Sequence, residues 1–188
     1  GQGASVVRVL IGTRGAGKTQ VAAAYARAKL AAGWRFVAWV HAENAGSLLD
    51  GMAAVADAAG LSGVGSERSA ADRGRAVRHW LETVGDHCLL IFDDARNPDL
   101  LRPFVPADGA ARVLVTTASE PVAGLGTRVP VDVFSAEEAL ALLDGRTGMA
   151  DEAGAAAVAA ELGYLPLALD QAAVVIAGQR TGYGAYLD

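Results

Sequence analysis

The feature that most constrains the fold of this chain is a glycine-rich segment between an apolar run and an alanine-rich run. Residues 12–19 read Gly-Thr-Arg-Gly-Ala-Gly-Lys-Thr, which matches the pattern G-x-x-x-x-G-K-T. Residues 6–11 are nearly all apolar and predict a buried parallel strand. Residues 19–32 contain neither Gly nor Pro and are followed by Gly33, so they predict a helix. Strand, glycine-rich loop and helix in this order are the context that a phosphate-binding P-loop requires.

The residue types in this loop predict a site for phosphate groups. Gly12, Gly15 and Gly17 let the backbone turn tightly and approach a ligand closely, because they have no Cβ. The N–H groups of such a loop form a cradle for anions, and the N-terminus of the following helix also favours negative charge. We predict that Lys18 adds a positive charge for the β- and γ-phosphates, and that the Thr19 hydroxyl serves Mg²⁺.

Composition and charge indicate an ordinary globular protein and argue against several functional classes. The 188 residues suit one domain, or one domain and part of a second, and are 52% hydrophobic and 20% charged. A formal net charge of −5 without a Lys/Arg cluster argues against direct binding to nucleic acid. No apolar stretch reaches the length of a membrane span, and no signal peptide is evident. We therefore expect a cytoplasmic protein, seen here as a fragment of a longer chain.

The rest of the first two thirds of the chain alternates between predicted strands and predicted helices. Short apolar runs predict four further strands, at residues 34–40, 88–92, 112–117 and 128–133. Helices are predicted at 47–59, with Ser47 as N-cap, and at 69–84, with a loop over 60–66 between them. This pattern predicts an α/β fold, the three-layer sandwich of P-loop NTPases with a five-stranded parallel sheet. Ligands bind such sheets at the carboxyl ends of the strands.

The pattern changes after Phe134, where no further strand is evident. Ser135 and Glu138 form a capping box that opens a helix to about residue 143. A second helix is predicted at 151–162, and a third begins near residue 165 with Pro166 in its first turn, where a missing N–H costs nothing. We therefore predict a nucleotide-binding domain over residues 1–134 and a small all-helical subdomain over residues 135–188.

Two consecutive carboxylates follow the predicted third strand, at the sheet edge where the loop also lies. Asp93 is predicted to orient Mg²⁺ through its water shell, because this ion retains several waters and needs few protein carboxylates. Asp94 is predicted to orient or deprotonate an attacking water. Taken alone, a strand followed by an Asp-Asp turn is common. Its position after a P-loop makes it a candidate second phosphate-site motif.

These segments together resemble the NB-ARC family, which belongs to the STAND class of P-loop NTPases. The matching segments are spread over most of the chain, at residues 12–20, 36–43, 89–94, 112–117 and 163–169. The last reads Gly-Tyr-Leu-Pro-Leu-Ala-Leu and is similar to the G-x-P-L-A helical motif that separates this family from other P-loop proteins. On local signals alone, the same segment is also explained as a helix start after a glycine stop.

The resemblance implies a nucleotide-controlled switch within a larger regulator of signalling or transcription. It implies ATP or ADP with Mg²⁺ as ligands, slow hydrolysis at most with Lys18 and Asp94 as the catalytic residues, and oligomerisation in the ATP form. It also implies that Pro166 contacts the adenine, and that Thr19 and Asp93 serve the metal. The predicted nucleotide-binding residues are Gly12, Arg14, Gly15, Ala16, Gly17, Lys18, Thr19, Gln20 and Pro166.

One departure from the family pattern keeps hydrolysis open. Family members often follow the two threonines of the fourth strand with an arginine that senses the γ-phosphate, whereas Ala118 follows Thr117 here. Arg14 is either a substitute for that arginine or a solvated loop residue. The alternatives are a non-hydrolysing nucleotide-binding scaffold and a metabolic kinase or transport ATPase. The arginine-rich lid of such kinases and the L-S-G-G-Q-type helix of transporters are not seen, nor is the N-K-x-D motif of GTPases.

Overall fold

The computed structural model describes residues 6–61 and 69–187. The described residues divide into two compact units. Of the described residues, 6–11, 18–61 and 69–130 form the α/β unit, and 12–17 and 131–187 form the helical unit, which thus includes the glycine-rich loop. The sequence places the domain boundary after Phe134, whereas the division between the units falls between Pro130 and Val131.

The α/β unit is built on a five-stranded sheet with the order β2-β3-β4-β1-β5, in which every pair of neighbours is parallel. The strands are β1 (Val6–Ile11), β2 (Phe36–His41), β3 (Cys88–Asp93), β4 (Arg112–Thr117) and β5 (Thr127–Pro130). All six residues of β3 are buried, as its uninterrupted apolar sequence requires. The predicted five-stranded parallel sheet is confirmed, although β5 ends at Pro130 rather than at residue 133.

The described part of the α/β unit contains five helices, three of which were predicted. They are α1 (Lys18–Ala31), α2 (Ala45–Ala58), α3 (Ala70–Val84), α4 (Pro98–Leu101) and α5 (Glu120–Ala123). The predicted N-cap of α2 is wrong, because the Asn44 side chain accepts the Ser47 N–H and the helix begins before Ser47. Of the loop predicted at residues 60–66, only 60 and 61 lie within the described residues. The short helices α4 and α5, of four residues each, were not predicted.

The helical unit contains α6 (Ala136–Thr147), α7 (Glu152–Glu161), α8 (Pro166–Gln179) and α9 (Tyr183–Leu187). The predicted capping box is confirmed, since Ser135 and Glu138 each accept the other's backbone N–H. Pro166 occupies the first turn of α8, as predicted. The core of this unit is formed by fully buried side chains, among them Leu143, Val158, Leu169, Ile176 and Tyr183.

Across the described ranges, the helices lack the combined length and apolar character that crossing a bilayer requires.

Candidate functional site

The glycine-rich loop joins β1 to α1 and adopts a backbone that two of its glycines make possible. Gly15 and Gly17 have φ angles of 84° and 88°, in the left-handed region that other residues rarely occupy. A backbone hydrogen bond from the Ala16 N–H to the Thr13 carbonyl, at 3.3 Å, closes a turn inside the loop. The positive φ angles at these two positions therefore explain why the motif has glycine there.

Gly12 lies close to another backbone segment of the helical unit. A Cβ built on Gly12 would lie 2.0 Å from the carbonyl oxygen of Val131. This neighbouring backbone excludes a side chain at the position. The close approach to a ligand predicted for Gly12 stays a prediction.

The first turn of α8 lies against the glycine-rich loop within the helical unit. The Leu167 N–H donates to the Gly15 carbonyl at 3.3 Å. The Leu165 Cδ2 atom is 3.6 Å, and the Pro166 Cβ atom 4.0 Å, from the Cβ positions built on Gly15 and Gly17 respectively. The segment that resembles the family's helical motif is therefore in contact with the loop. The adenine contact predicted for Pro166 stays a prediction.

A backbone conformation just before this turn is unusual. Tyr164 has a φ angle of 56°, directly after Gly163 with a φ angle of 58°. Its carbonyl accepts the Phe134 N–H at 3.0 Å, and its own N–H donates to the Ala159 carbonyl at 3.0 Å. A residue other than glycine persists in this region only when its surroundings determine it. These two hydrogen bonds fix the approach of the chain to Leu165.

In the α/β unit, the structure brings the motif threonine to the first of the two consecutive aspartates. The Thr19 hydroxyl donates to Asp93 Oδ1 at 3.0 Å, although 74 residues separate them in the sequence. Asp93 ends β3 and is only 6% exposed. The same oxygen accepts a second hydrogen bond, at 2.6 Å, from the hydroxyl of Thr116. The exposed His41 lies beside the other oxygen, with its Nδ1 atom 4.0 Å from Asp93 Oδ2.

Thr19 and Asp93 are suitable ligands for Mg²⁺ in their chemistry. Both offer oxygen atoms, which this ion prefers, and a single carboxylate suffices when waters complete the shell. The Thr19 hydroxyl directs its proton to the carboxylate, so its own lone pairs are available to a cation. In residues 6–61 and 69–187, there is no group of three or more His, Cys, Asp or Glu side chains placed to hold a metal ion. The donor set thus fits a metal that also relies on water and phosphate oxygens.

Asp94 lies in a turn that β4 fixes, and its side chain is engaged by an arginine. Its φ angle is 53°, and its N–H donates to the Thr116 hydroxyl at 2.9 Å. Arg96 donates to Asp94 Oδ2 at 2.8 Å and lies 3.2 Å from a carboxylate oxygen of Glu43. The hydrogen bond that Arg96 donates to Asp94, together with the negative charges of Asp94 and Glu43, raises the pKa of the Arg96 guanidinium. The carboxylate predicted to act as a base is therefore already paired with a cation.

The remaining predicted residues differ in their burial. Arg14 and Gln20 are exposed, Ala16 is buried, and Lys18 is half-buried in the first turn of α1. The two threonines that end β4 enter the sequence analysis only through the family resemblance, yet both are fully buried and hydrogen-bonded. Two consecutive threonines at the end of an apolar strand were the sequence signal for these buried hydrogen bonds.

The chain is similar in sequence to two bacterial regulatory proteins. It is 34% identical over 112 residues to the regulatory protein AfsR of Streptomyces griseus, and 37% identical over 102 residues to that of Streptomyces coelicolor. These matches cover 57% and 52% of this chain, but only 12% and 10% of the relatives. The chain thus spans about a tenth of the length of the curated relatives that it matches. No protein-family model matches the chain.

Solved structures agree with the fold. A signal transduction ATPase with numerous domains (STAND) and a tetratricopeptide repeat sensor, from Pyrococcus horikoshii, superposes with a TM-score of 0.60 at 19% identity. This match covers 88% of this chain and 27% of that protein. The ORC2 protein of Aeropyrum pernix, in its ADPNP-ADP complexes, gives a TM-score of 0.55 at 15% identity over 94% of this chain and 58% of its own. The chain therefore has the α/β fold of P-loop NTPases.

Proposed function

We propose that this chain is the nucleotide-binding module of a larger STAND-class regulator of the NB-ARC type, and that it binds ATP or ADP with Mg²⁺. The observation that carries the proposal is the contact between Thr19 and Asp93. The last residue of the G-x-x-x-x-G-K-T motif donates to the buried carboxylate that ends β3, at 3.0 Å. This pairing joins the two halves of a Mg²⁺-dependent phosphate site, which the sequence could only predict separately.

Each residue of the proposed site has a defined task. The N–H groups of residues 12–17 bind phosphate oxygens, and the left-handed conformations of Gly15 and Gly17 shape that loop. Lys18 neutralises the β- and γ-phosphates, while Thr19 and Asp93 hold the metal, directly and through water. When bound, the metal supplies positive charge that offsets the charge of the phosphates. Arg14, Ala16 and Gln20 line the loop, and Pro166 contacts the adenine.

A regulatory role is supported by the sequence relatives and by the contact between the loop and α8. Both AfsR relatives are named regulatory proteins, and they are much longer than this chain. Because the Gly15 carbonyl accepts the Leu167 N–H, a ligand that moves the loop also acts on the first turn of α8. A nucleotide can bias two states only through contacts that differ between them, and this hydrogen bond is one that a phosphate can change. Neighbouring domains of the longer chain, and a homo-oligomer in the ATP form, are the partners we propose, in the cytoplasm.

Hydrolysis is the less supported part of the proposal. Asp94 is the proposed base, but its carboxylate oxygen lies 2.8 Å from the Arg96 guanidinium. This oxygen, which would have to accept a proton from water, is already hydrogen-bonded to Arg96. Together with Ala118 after β4, this favours slow turnover, and it also favours the second candidate, a nucleotide-binding scaffold without hydrolysis.

The identity of the bound nucleotide tests the proposal most directly. The purified chain is denatured, and any released nucleotide is identified by chromatography and mass spectrometry. We expect ADP or ATP, and we expect the emptied chain to bind Mg·ADP in a calorimetric titration. Released GDP would contradict the adenine assignment, as would the absence of adenine-nucleotide binding.

The two lysines of the chain provide a matched pair for the role of the loop. We expect Lys18→Ala to weaken Mg·ADP binding strongly, because the phosphate charge loses its only lysine partner in the motif. Lys29 lies in the same helix, with its ammonium 4.8 Å from the ring centres of Tyr25 and Trp34, so Lys29→Ala should leave binding unchanged. Equal affinities of both variants would refute the assignment of Lys18. For Asp94→Ala, we expect unchanged binding and lower turnover.

A further inference from the structure

We propose that Thr116 is a positioning residue that fixes the carboxylate of Asp93 for its task at the metal, an inference that rests on the proposed function. The side chain of an aspartate rotates broadly about its last torsion, so its orientation must be set by hydrogen bonds. Thr116 lies at the end of β4 and is 1% exposed. Its hydroxyl oxygen is 2.6 Å from Asp93 Oδ1, shorter than the 3.0 Å from the hydroxyl of Thr19.

The direction of the hydrogen bond from Thr116 to Asp93 follows from its second partner. The Asp94 N–H can only donate, and it does so to the Thr116 hydroxyl at 2.9 Å. A threonine hydroxyl has one proton, and its other partner here is the Asp93 carboxylate, so the proton is directed to Oδ1. The hydroxyl of Thr116 is thus fixed by the backbone and cannot rotate away without breaking both hydrogen bonds.

The two threonine hydroxyls together distinguish the two oxygens of Asp93. Oδ1 accepts from Thr19 on the helix and from Thr116 on the neighbouring strand, and these bonds occupy the two lone-pair directions of that oxygen. His41 Nδ1 lies 4.0 Å from Oδ2. Because both hydroxyls bind Oδ1, Oδ2 is the oxygen that we assign to the water shell of a cation. Without Thr116, Oδ1 keeps only the longer hydrogen bond from Thr19, so the orientation of the carboxylate is less firmly fixed.

The adjacent threonine provides an internal comparison. Thr117 is also fully buried, but its hydroxyl donates to the Ala95 carbonyl at 2.6 Å and accepts the Ser119 N–H at 2.9 Å. It therefore secures the backbone after β3 and β4 without touching Asp93. Removing either hydroxyl breaks one buried and one part-buried hydrogen bond. The two substitutions should therefore lower stability by similar amounts but differ in their effect on metal binding.

The experiment compares Thr116→Val and Thr117→Val, which retain the branched shape, with Thr116→Ser, which retains the hydroxyl. The affinity for ADP is measured by calorimetry on the 188-residue chain with Mg²⁺ and with EDTA, and the ratio of the two affinities is the readout. For Thr116→Val, we expect the gain in affinity due to Mg²⁺ to fall about tenfold, in line with the loss of a hydrogen bond to a charged group. Thr116→Ser and Thr117→Val should retain the wild-type ratio. Thermal unfolding of each variant establishes that it is folded.

The outcomes separate the role of Thr116 from the proposed function. A wild-type chain that does not bind ADP would overturn both. A wild-type chain with Mg²⁺-dependent binding and an unchanged ratio in Thr116→Val would overturn only the role of Thr116, as would an equal loss in Thr117→Val or no recovery in Thr116→Ser. If Thr116→Val does not fold, Thr116→Cys replaces it, since a thiol is a weak donor, and the same loss relative to Thr116→Ser is expected.

Discussion

Replacing Gly15 by alanine separates the conformational role of the loop from its role in binding. Gly15 and Gly33 have similar φ angles of 84° and 74°. A Cβ on Gly15 would meet its nearest neighbour, Leu165, at 3.6 Å, and a Cβ on Gly33 would meet nothing within 4 Å. Alanine is therefore free of steric overlap at both positions, and only the cost of the left-handed conformation remains. That cost is about 1–2 kcal/mol per residue.

The same cost is expressed differently at the two positions. Where the backbone keeps its angle, the free energy of unfolding falls by about 1–2 kcal/mol, which for a chain of this size lowers Tm by roughly 2–8 °C. Where the backbone relaxes in the free protein, a ligand that requires the original angle must restore it. The affinity then falls by the same free energy, or about 5- to 30-fold in Kd. Gly33 lies between α1 and β2, outside the glycine-rich loop, so alanine there should lower the free energy of unfolding without changing the affinity.

The assay measures both quantities for both variants. Thermal or urea unfolding gives the loss of stability, and calorimetry with Mg·ADP gives the loss of affinity. For Gly33→Ala, we expect lower stability and unchanged affinity. For Gly15→Ala, we expect the two losses together to amount to about 1–2 kcal/mol, with a measurable share in affinity. The reasoning is refuted if Gly15→Ala binds Mg·ADP as tightly as the wild type, or if Gly33→Ala weakens binding equally.

Three further predictions follow from single contacts. Gly12→Ala places a Cβ 2.0 Å from the Val131 carbonyl oxygen, so we expect a loss of about 3 kcal/mol in urea unfolding, and a loss under 1 kcal/mol would contradict the close approach. Arg96→Ala removes the ion-pair partner of the Asp94 carboxylate. Because exposed ion pairs are weak, we expect turnover to rise only about two- to fivefold, with unchanged affinity for Mg·ADP. A decrease in turnover would show instead that Arg96 assists the reaction. Burial raises the pKa of the Cys88 thiol, so a disulfide reagent should react with it only after unfolding, and rapid modification of the native chain would be inconsistent with this.

The strands were predictable because a buried parallel strand requires a short apolar run, and such a run can be recognised locally in the sequence. Each strand in the interior of the sheet is a short apolar run, and β3, with all six residues buried, is the clearest example. The start of α2 was not predictable to the residue. Asn44 and Ser47 are both good N-caps, and the choice of Asn44 depends on which side chain reaches a free N–H in the folded chain. The intrinsic N-cap preferences of Asn and Ser differ by less free energy than the tertiary contacts that decide between them contribute.

The candidate site was predictable in its residues but not in its contacts. The sequence identified Thr19 and Asp93 separately, by motif and by strand end, and the parallel order of the sheet then brings them to 3.0 Å. The contribution of Thr116 depends on the register between β3 and β4, in which Phe92 pairs with Val115, so the residues that follow in each strand face each other. A register of this kind is specified by packing across strands and cannot be read from either strand alone.

Binding and hydrolysis are supported by physically different kinds of contact. The loop conformation depends on backbone angles at Gly15 and Gly17, and the orientation of Asp93 depends on the hydroxyls of Thr19 and Thr116. The orientation of Asp94 toward a substrate depends on a half-exposed carboxylate that Arg96 already engages. Exposed pairs of this kind contribute little free energy and are readily exchanged. A phosphate that attracts Arg96 would therefore release Asp94 at small cost, so hydrolysis in the proposed function would require a rearrangement of side chains that binding would not.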